Sequence, residues 1–371
     1  MLVRSPSLSV VATRAQARAN CLVGAVAVAA SLGTSVAAAA PACPEVAGGA
    51  ITWIVPFGAG GGYDIYSRLI EPHLEAALGT EISVVNVEGA GGVVGTKQIS
   101  EAAGDGRTLG LVNAAGLAAS QLLGEGTVPS LATDLTVIAT LTTGDRLWLV
   151  RSDGPIASVE DLFRIADERP IVIPISDVGA ATFVSSGVTA ALLGIRHEFV
   201  AGYSGTNETA SALLRDEGDV ADFELSSGRA NIAAGDLRPL LRPVRSPESD
   251  AVLGAEFPTL TGEDGLAGRR AAAQGRDVGQ ARRQADALAG VSALGRVIVG
   301  PRGLDPALAA CLQTAVWSVL NDAAVVDALA VAKRPISARD AASTRQAIEA
   351  IIPEIEPLRQ ILQDEMKRLR S

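Results

Sequence analysis

Aromatic residues make up only 3% of this 371-residue sequence, and histidine occurs just twice, at His73 and His197. With three cysteines besides, Cys21, Cys43 and Cys311, the chain cannot assemble a histidine-rich catalytic metal site or a closed four-cysteine zinc site. Any metal would have to rest on carboxylates, and neither metal nor cofactor is expected. Positive charge is also short: 31 Lys and Arg stand against 41 Asp and Glu, a formal net charge of −10. A phosphate-backbone binder needs a clustered basic surface, so nucleic acid is set aside as a partner. What the sequence does have is 48% hydrophobic residues and a mean hydropathy of +0.30. That suits a folded α/β chain with two or three domain-sized cores.

Residues 1–40 contain Arg4, Arg14 and Arg18 and no acidic residue, then an apolar stretch from Cys21 to Gly33 and the run Ser35-Val36-Ala37-Ala38-Ala39-Ala40. Basic start, apolar core and small-residue end read as a secretory signal cleaved near Ala40. The core is short of the roughly 20 strongly apolar residues a membrane anchor needs. The remaining chain is expected in the periplasm. There Cys43 and Cys311 are candidates for a disulfide, the alternatives being two separate buried thiols or a lipid on Cys43. The preceding Ala40-Pro41-Ala42 lacks the branched apolar residue of a lipoprotein processing site.

Beyond the leader, short β-rich runs alternate with longer helical ones. Ile51 to Val55 reads as a strand, and Ile65, Leu69, Leu74 and Leu78 give the next segment helical spacing up to Gly79, with Pro72 expected to kink it. Glu81 to Val87, Val93 to Ala103 and Thr108 to Val112 repeat the unit. A second such region runs from Leu147-Trp148-Leu149-Val150 through Ile171-Val172-Ile173 and Glu198-Phe199-Val200 to Leu225. Alternation of this kind predicts parallel sheets covered on both faces. Gly262 to Gly290, rich in Ala, Arg, Gln and Gly, reads as an inserted solvated helix or loop, and two helical stretches, Pro306 to Leu329 and Ala338 to Leu369, close the chain.

Two glycine loops carry the chemistry. In Phe57-Gly58-Ala59-Gly60-Gly61-Gly62-Tyr63-Asp64 a strand delivers the chain to residues free to adopt positive φ, and the following helix presents unpaired N–H groups and its positive dipole end. Such a loop cradles anions. Gly89-Ala90-Gly91-Gly92 repeats the device, and no Lys-Ser or Lys-Thr follows either loop, which excludes a nucleotide phosphate loop. Gly202-Tyr203-Ser204-Gly205-Thr206 falls one glycine short of a nucleophile elbow, and His197 precedes its serine, which disfavours a hydrolase. Asp216, Glu217, Asp219 and Asp222 read as a solvated acidic face.

Taken in order, Pro56 to Asp64, Arg68, Asn86, Gly89-Ala90-Gly91-Gly92-Val93-Val94-Gly95 and Asp105-Gly106-Arg107-Thr108-Leu109 resemble the successive signatures of one family, the extracytoplasmic solute receptors of tripartite tricarboxylate transporters, or Bug-type receptors. The likeness continues through Gly194-Ile195, Tyr203-Ser204-Gly205, Gly218-Asp219-Val220 and Pro258-Thr259. It implies a non-enzymatic receptor with a two-lobed type II periplasmic-binding-protein clamp, a βαβ sheet in each lobe. Residues 41–146 and 246–371 would form lobe one and residues 147–245 lobe two. A small organic carboxylate is the implied ligand, membrane permease subunits the partner, and a monomer the working form. A ligand sensor for a membrane signalling protein, or a secreted enzyme on a similar scaffold, are the alternatives.

By the same resemblance the ligand carboxylate sits at the two glycine loops, Phe57 to Asp64 and Gly89 to Gly92. The second lobe would contribute Ser176, Asp177, Gly179 and Thr182 from Ser176-Asp177-Val178-Gly179-Ala180-Ala181-Thr182, with Tyr203 and Glu224. Three departures stand out: Glu88 in place of the usual proline before the second loop, the altered serine- and glycine-rich turn at Ser176, and the absence of lysine beside Tyr203. If Asp177, Tyr203 and Glu224 face the ligand, its far end carries a hydroxyl, amide or amino donor. Arg146 or Arg229 turned inward would reverse that reading.

Overall fold

The computed structural model describes residues 43–124 and 128–370, so the leader expected over residues 1–40 lies outside the described residues. The chain opens with two βα units: β1 (Ala50–Val55), α1 (Gly62–Leu78), β2 (Glu81–Asn86) and α2 (Val93–Ser100), the last entered through a 3-10 turn at Ala90–Gly92. Next come β3 (Thr108–Asn113), α3 (Ala114–Leu123), β4 (Leu135–Thr142), β5 (Arg146–Arg151) and α4 (Val159–Glu168). The middle of the chain holds β6 (Ile171–Pro174), α5 (Ala181–Leu193), β7 (His197–Val200), α6 (Thr206–Leu214), β8 (Ala221–Glu224), α7 (Leu225–Ala234) and β9 (Leu237–Leu241). It returns through α8 (Pro247–Leu253), α9 (Leu266–Ala273), α10 (Val278–Ser292) and β10 (Arg296–Pro301). The end is helical: α11 (Pro306–Asn321), α12 (Ala323–Val331), α13 (Ala341–Ile351), a 3-10 segment at Ile352–Leu358 carrying Pro353 and Pro357, and α14 (Arg359–Arg370).

Five strands form one sheet in the order β2-β1-β3-β10-β4, three form a second as β8-β5-β9, and β6 pairs with β7. The architecture is the α/β class read from the sequence, but only the β6–β7 pair is a purely parallel sheet: the five-stranded sheet is mixed and the three-stranded one antiparallel. β1 runs parallel to β2 and β3, whereas β10 is antiparallel to both β3 and β4, and β5 is antiparallel to β8 and β9. The reason is connectivity: β1, β2 and β3 follow one another through helical crossovers and so run the same way, whereas β10 and β5 sit between partners reached by other routes.

Strand β1 shows how the pleat divides the core. Ile51, Trp53 and Val55 point to one face and meet Tyr66, Ile70, Leu74 and Leu78, the buried stripe of α1 at four-residue spacing. Trp53 Nε1 donates to Ser67 Oγ at 2.9 Å, satisfying both buried groups. Ile54 turns the other way and joins Ile99 and Val112. Helix α1 continues through Pro72 as a single segment and stops at Gly79, whose φ of 63° only glycine adopts cheaply.

The Gly262 to Gly290 stretch is not a solvated addition. Ala281, Ala285 and Leu288 are buried on one face of α10, which packs on α5 and on the 3-10 segment Ile352–Leu358. Small residues at helical spacing make a stripe that composition alone disguises. Arg270 Nε and Arg276 Nη2 donate to the Leu193 and Leu192 carbonyls at 2.9 and 2.6 Å, closing the orphan carbonyls at the C-terminus of α5.

Candidate functional site

Half of the fourteen described helices carry a side-chain acceptor at their start, and α2 and α9, whose starts lie away from the cavity described below, are among those that do not. Ser158, Asp277, Asp305, Asp322 and Asp340 close α4, α10, α11, α12 and α13 with side-chain bonds to backbone N–H groups. Helices α1, α5, α6 and α7 begin instead at Gly61, Ala180, Gly205 and Glu224, none of which makes a side-chain cap bond. All four of these starts line one cavity of about 60 Å³, together with Asn113 at the start of α3. Uncapped N–H groups and positive dipole ends therefore converge where a small anion fits.

The cavity wall is charged yet balanced. Arg296 is ion-paired with Glu224, and Arg146 with Asp222, all four side chains being buried. Arg296 also donates to Thr142 Oγ1 at 3.1 Å and Ser227 Oγ at 3.3 Å, and its guanidinium lies 4.8 and 4.9 Å from the ring centres of Tyr63 and Tyr66. Burial opposes its charge, but Glu224 and the two tyrosines outweigh that and hold it above the ordinary arginine range. Burial, reinforced by Glu224, pushes the Tyr63 phenol up, so it stays a neutral hydroxyl. The Asp222 carboxyl is pushed up by burial, against the pull of Arg146 and of Ser185, whose hydroxyl donates to Asp222 Oδ2 at 2.6 Å. Asp222 is thus part of the buried wall, not of the solvated acidic face expected from its neighbours in sequence.

The two glycine loops go to different places. From the first, Phe57, Gly61, Gly62 and Tyr63 line the cavity, with Phe57 stacked on Tyr63 at 4.4 Å between ring centres. Gly58, Ala59, Gly60 and Asp64 do not line it, and Ala59 is exposed. Asp64 accepts from the Gly60 N–H at 2.8 Å and from Arg68 Nε at 2.9 Å, and the Gly60 carbonyl accepts from Asn207 Nδ2 at 2.6 Å. The Asp64 carboxyl loses to burial but gains more from Arg68, the Gly60 N–H and Asn86, and so sits below its ordinary value.

From the second loop, Gly89, Ala90, Gly91 and Gly92 are absent from the cavity wall. All four have positive φ, at 134°, 47°, 63° and 101°. The Gly91 N–H is taken by Asp177 Oδ2 at 3.1 Å. A Cβ on Gly91 would lie 2.6 Å from the Val178 carbonyl oxygen and 2.7 Å from the Ala180 nitrogen, so the 178–180 backbone covers the loop. Asp177 and Ala90 face a neighbouring groove of about 1130 Å³ along α2.

Of the other residues expected from sequence, Ser176, Thr182 and Glu224 line the cavity, whereas Gly179 and Tyr203 do not. Thr182 Oγ1 is buried there and finds no protein partner. The Tyr203 hydroxyl is turned toward Glu217, at 3.5 Å. Sequence reasoning missed Arg296 and Ser227 and left the direction of Arg146 open. A signal existed: Arg146 and Arg296 each stand directly before an apolar run in a strand, Leu147-Trp148-Leu149-Val150 and Val297-Ile298-Val299.

The fold is thus an α/β chain in which uncapped helix starts surround a small cavity of balanced charge, an arrangement chemically suited to an anion. Residues 66–263 match the tripartite tricarboxylate transporter family receptor, and this chain belongs to that family. A curated relative from Pseudomonas sp. strain P51, the UPF0065 protein in the tcbD-tcbE intergenic region, is 28% identical over 220 residues, 59% of this chain and 64% of that protein. The chain spans about six-tenths of the length of the first curated relatives it matches. Among solved structures, the fold is similar to MatC from Rhodopseudomonas palustris with bound malate (TM-score 0.66, 21% identity, 85% of this chain and 99% of that one). It is also similar to R. palustris Rpa4515 with adipate (TM-score 0.68, 21% identity, 85% and 98%).

Proposed function

We propose that this chain is a periplasmic solute-binding receptor that captures a small carboxylated metabolite and hands it to the permease of a tripartite tricarboxylate-type transporter without chemical change. The observation that carries the reading is the convergence of the uncapped starts of α1, α5, α6 and α7 on one cavity. Both arginines in the wall are already paired, so backbone N–H groups supply the attraction for the ligand carboxylate. Phe57, Gly61, Gly62, Tyr63, Ser176, Thr182 and Glu224 contact the ligand, joined by Asn113 and Ser227. Family membership and the carboxylates bound by the R. palustris proteins agree with this class of ligand.

The lobes of the clamp are taken as residues 41–146 with 246–371, and residues 147–245. Consistent with that division, every strand of the five-stranded sheet falls in the first set, and β5 to β9 fall in the second with β5 starting at the boundary. Ligand closes the two around the cavity, and the closed form docks on the permease.

Thr182→Val tests the site. The substitution keeps the shape and removes a hydroxyl that no protein group uses, so the unfolding free energy should stay within about 1 kcal/mol of the parent or rise. Affinity for the ligand, identified by native mass spectrometry of freshly purified protein and measured by calorimetry, should fall about tenfold, the worth of one hydrogen bond. Unchanged affinity would take Thr182 and the cavity around it out of the binding site.

A further inference from the structure

We infer that Asp177 is a specificity-determining residue: its carboxylate fills the anion seat of the second glycine loop, and the receptor therefore takes small monocarboxylates in preference to di- and tricarboxylates. The inference rests on the receptor reading above. Four successive residues with positive φ, Gly89 to Gly92, fold the loop into a tight turn whose Gly92 and Val94 N–H groups close on the Gly89 carbonyl at 3.0 and 3.4 Å, while the Gly91 N–H is turned outward as an anion seat. Its occupant is the chain's own carboxylate, delivered from the turn between β6 and α5, 86 residues away. One oxygen of Asp177 accepts from Gly91 at 3.1 Å and the other from Val178 at 2.7 Å. The 178–180 backbone then closes over Gly91 at a distance that leaves no room for a Cβ, and so none for a ligand group.

Apart from the open groove along α2, the space for ligand is the cavity at the starts of α1, α5, α6 and α7. At about 60 Å³ it is small on a scale where one water takes about 10–15 Å³, so it suits an acid of about two to four carbons. Its wall already holds two carboxylates, Asp222 and Glu224, each matched by one arginine. A second ligand carboxylate would meet like charge without a free cation to offset it, and its alternative seat is taken by Asp177. A hydroxyl, keto or amino group at the far end instead finds Thr182 Oγ1 and Asn113 in the wall.

Calorimetry and thermal-shift measurements on the full chain at constant ionic strength, with glycolate, lactate and pyruvate against malate, adipate and citrate, test this directly. The parent protein should bind its best monocarboxylate at least tenfold more tightly than any of the three polyacids. Asp177→Ser empties the seat and should raise affinity for malate or adipate at least tenfold. Asp177→Asn keeps an acceptor for the Gly91 N–H while removing the charge and the acceptor for the Val178 N–H, so it should fold with a somewhat lower melting temperature and give a smaller gain in the same direction. A parent protein that prefers a polyacid overturns the inference, and this arm stands even if the serine variant fails to fold. So does a folded asparagine variant whose affinity for malate and adipate is no higher than the parent's. Binding of neither class by the parent would overturn the receptor reading itself, a result distinct from a wrong ranking.

Discussion

Gly61 and Gly91 occupy equivalent places in their loops, yet their backbones make opposite demands. Gly61 has φ −74°, and a Cβ there would meet only the Gly58 carbonyl oxygen, at 3.2 Å. Gly91 has φ +63° and backbone atoms of the 178–180 turn at 2.6 and 2.7 Å from where its Cβ would sit. Gly61→Ala should therefore change the unfolding free energy by less than about 1 kcal/mol, whereas Gly91→Ala should lower it by about 2–5 kcal/mol through backbone strain plus a collision that only backbone movement relieves. Urea unfolding of the two variants checks this, and equal losses would mean that the turn does not cover the loop. Both loops were legible in the sequence, because a β-rich run, a glycine cluster and a helical period stand together. Which loop lines the cavity was not, since that depends on where Asp177 lands after intervening secondary structure has folded. Nor was the pairing of Arg146 and Arg296 with Asp222 and Glu224, a fact of tertiary approach rather than of spacing.

At the scale of elements, the alternation of strand and helix identified the α/β class, while strand polarity escaped it. Hydrophobic period carries no information about direction, and β10 inserts antiparallel between β3 and β4 from a distant part of the chain. The same blindness made α10 read as a solvated insertion: Arg282, Arg283, Gln284 and Asp286 break up its apolar pattern, while Ala281, Ala285 and Leu288 form the narrow buried stripe. Leu288 is wholly buried in the cluster that includes α5 and the C-terminal helices. Leu288→Ala should accordingly destabilise the protein by about 2–5 kcal/mol, the loss for emptying a core leucine site. A midpoint of urea unfolding that stays put would return α10 to the surface and remove its support from α5, whose start borders the cavity.

Over the whole molecule, one covalent link spans nearly everything described. Cys43 and Cys311 form a disulfide across a sequence separation of 268, with Cα atoms 5.7 Å apart, within the usual range for bridged pairs. The closed loop runs from before β1 to the first half of α11 and so contains all ten described strands. In the chain-entropy account the bridge acts on the unfolded state, and because the penalty grows only with the logarithm of loop length, even so long a loop contributes about 2–5 kcal/mol. Cys43 is fully buried and joins the cluster of Ile51, Trp53 and Leu312, and neither cysteine borders the ligand cavity. The two effects should therefore separate. Replacing both cysteines with alanine, or reducing the bridge under denaturing titration, should lower the unfolding free energy by about 2–5 kcal/mol while calorimetric affinity for a bound carboxylate stays within a factor of about two, the binding wall being untouched. An unfolding midpoint that reductant does not move would mean the bridge is not made in the folded protein. A large loss of affinity at unchanged stability would place the N-terminal end of the five-stranded sheet in contact with the ligand loops through β1, a coupling that the separation of the disulfide from the cavity wall argues against.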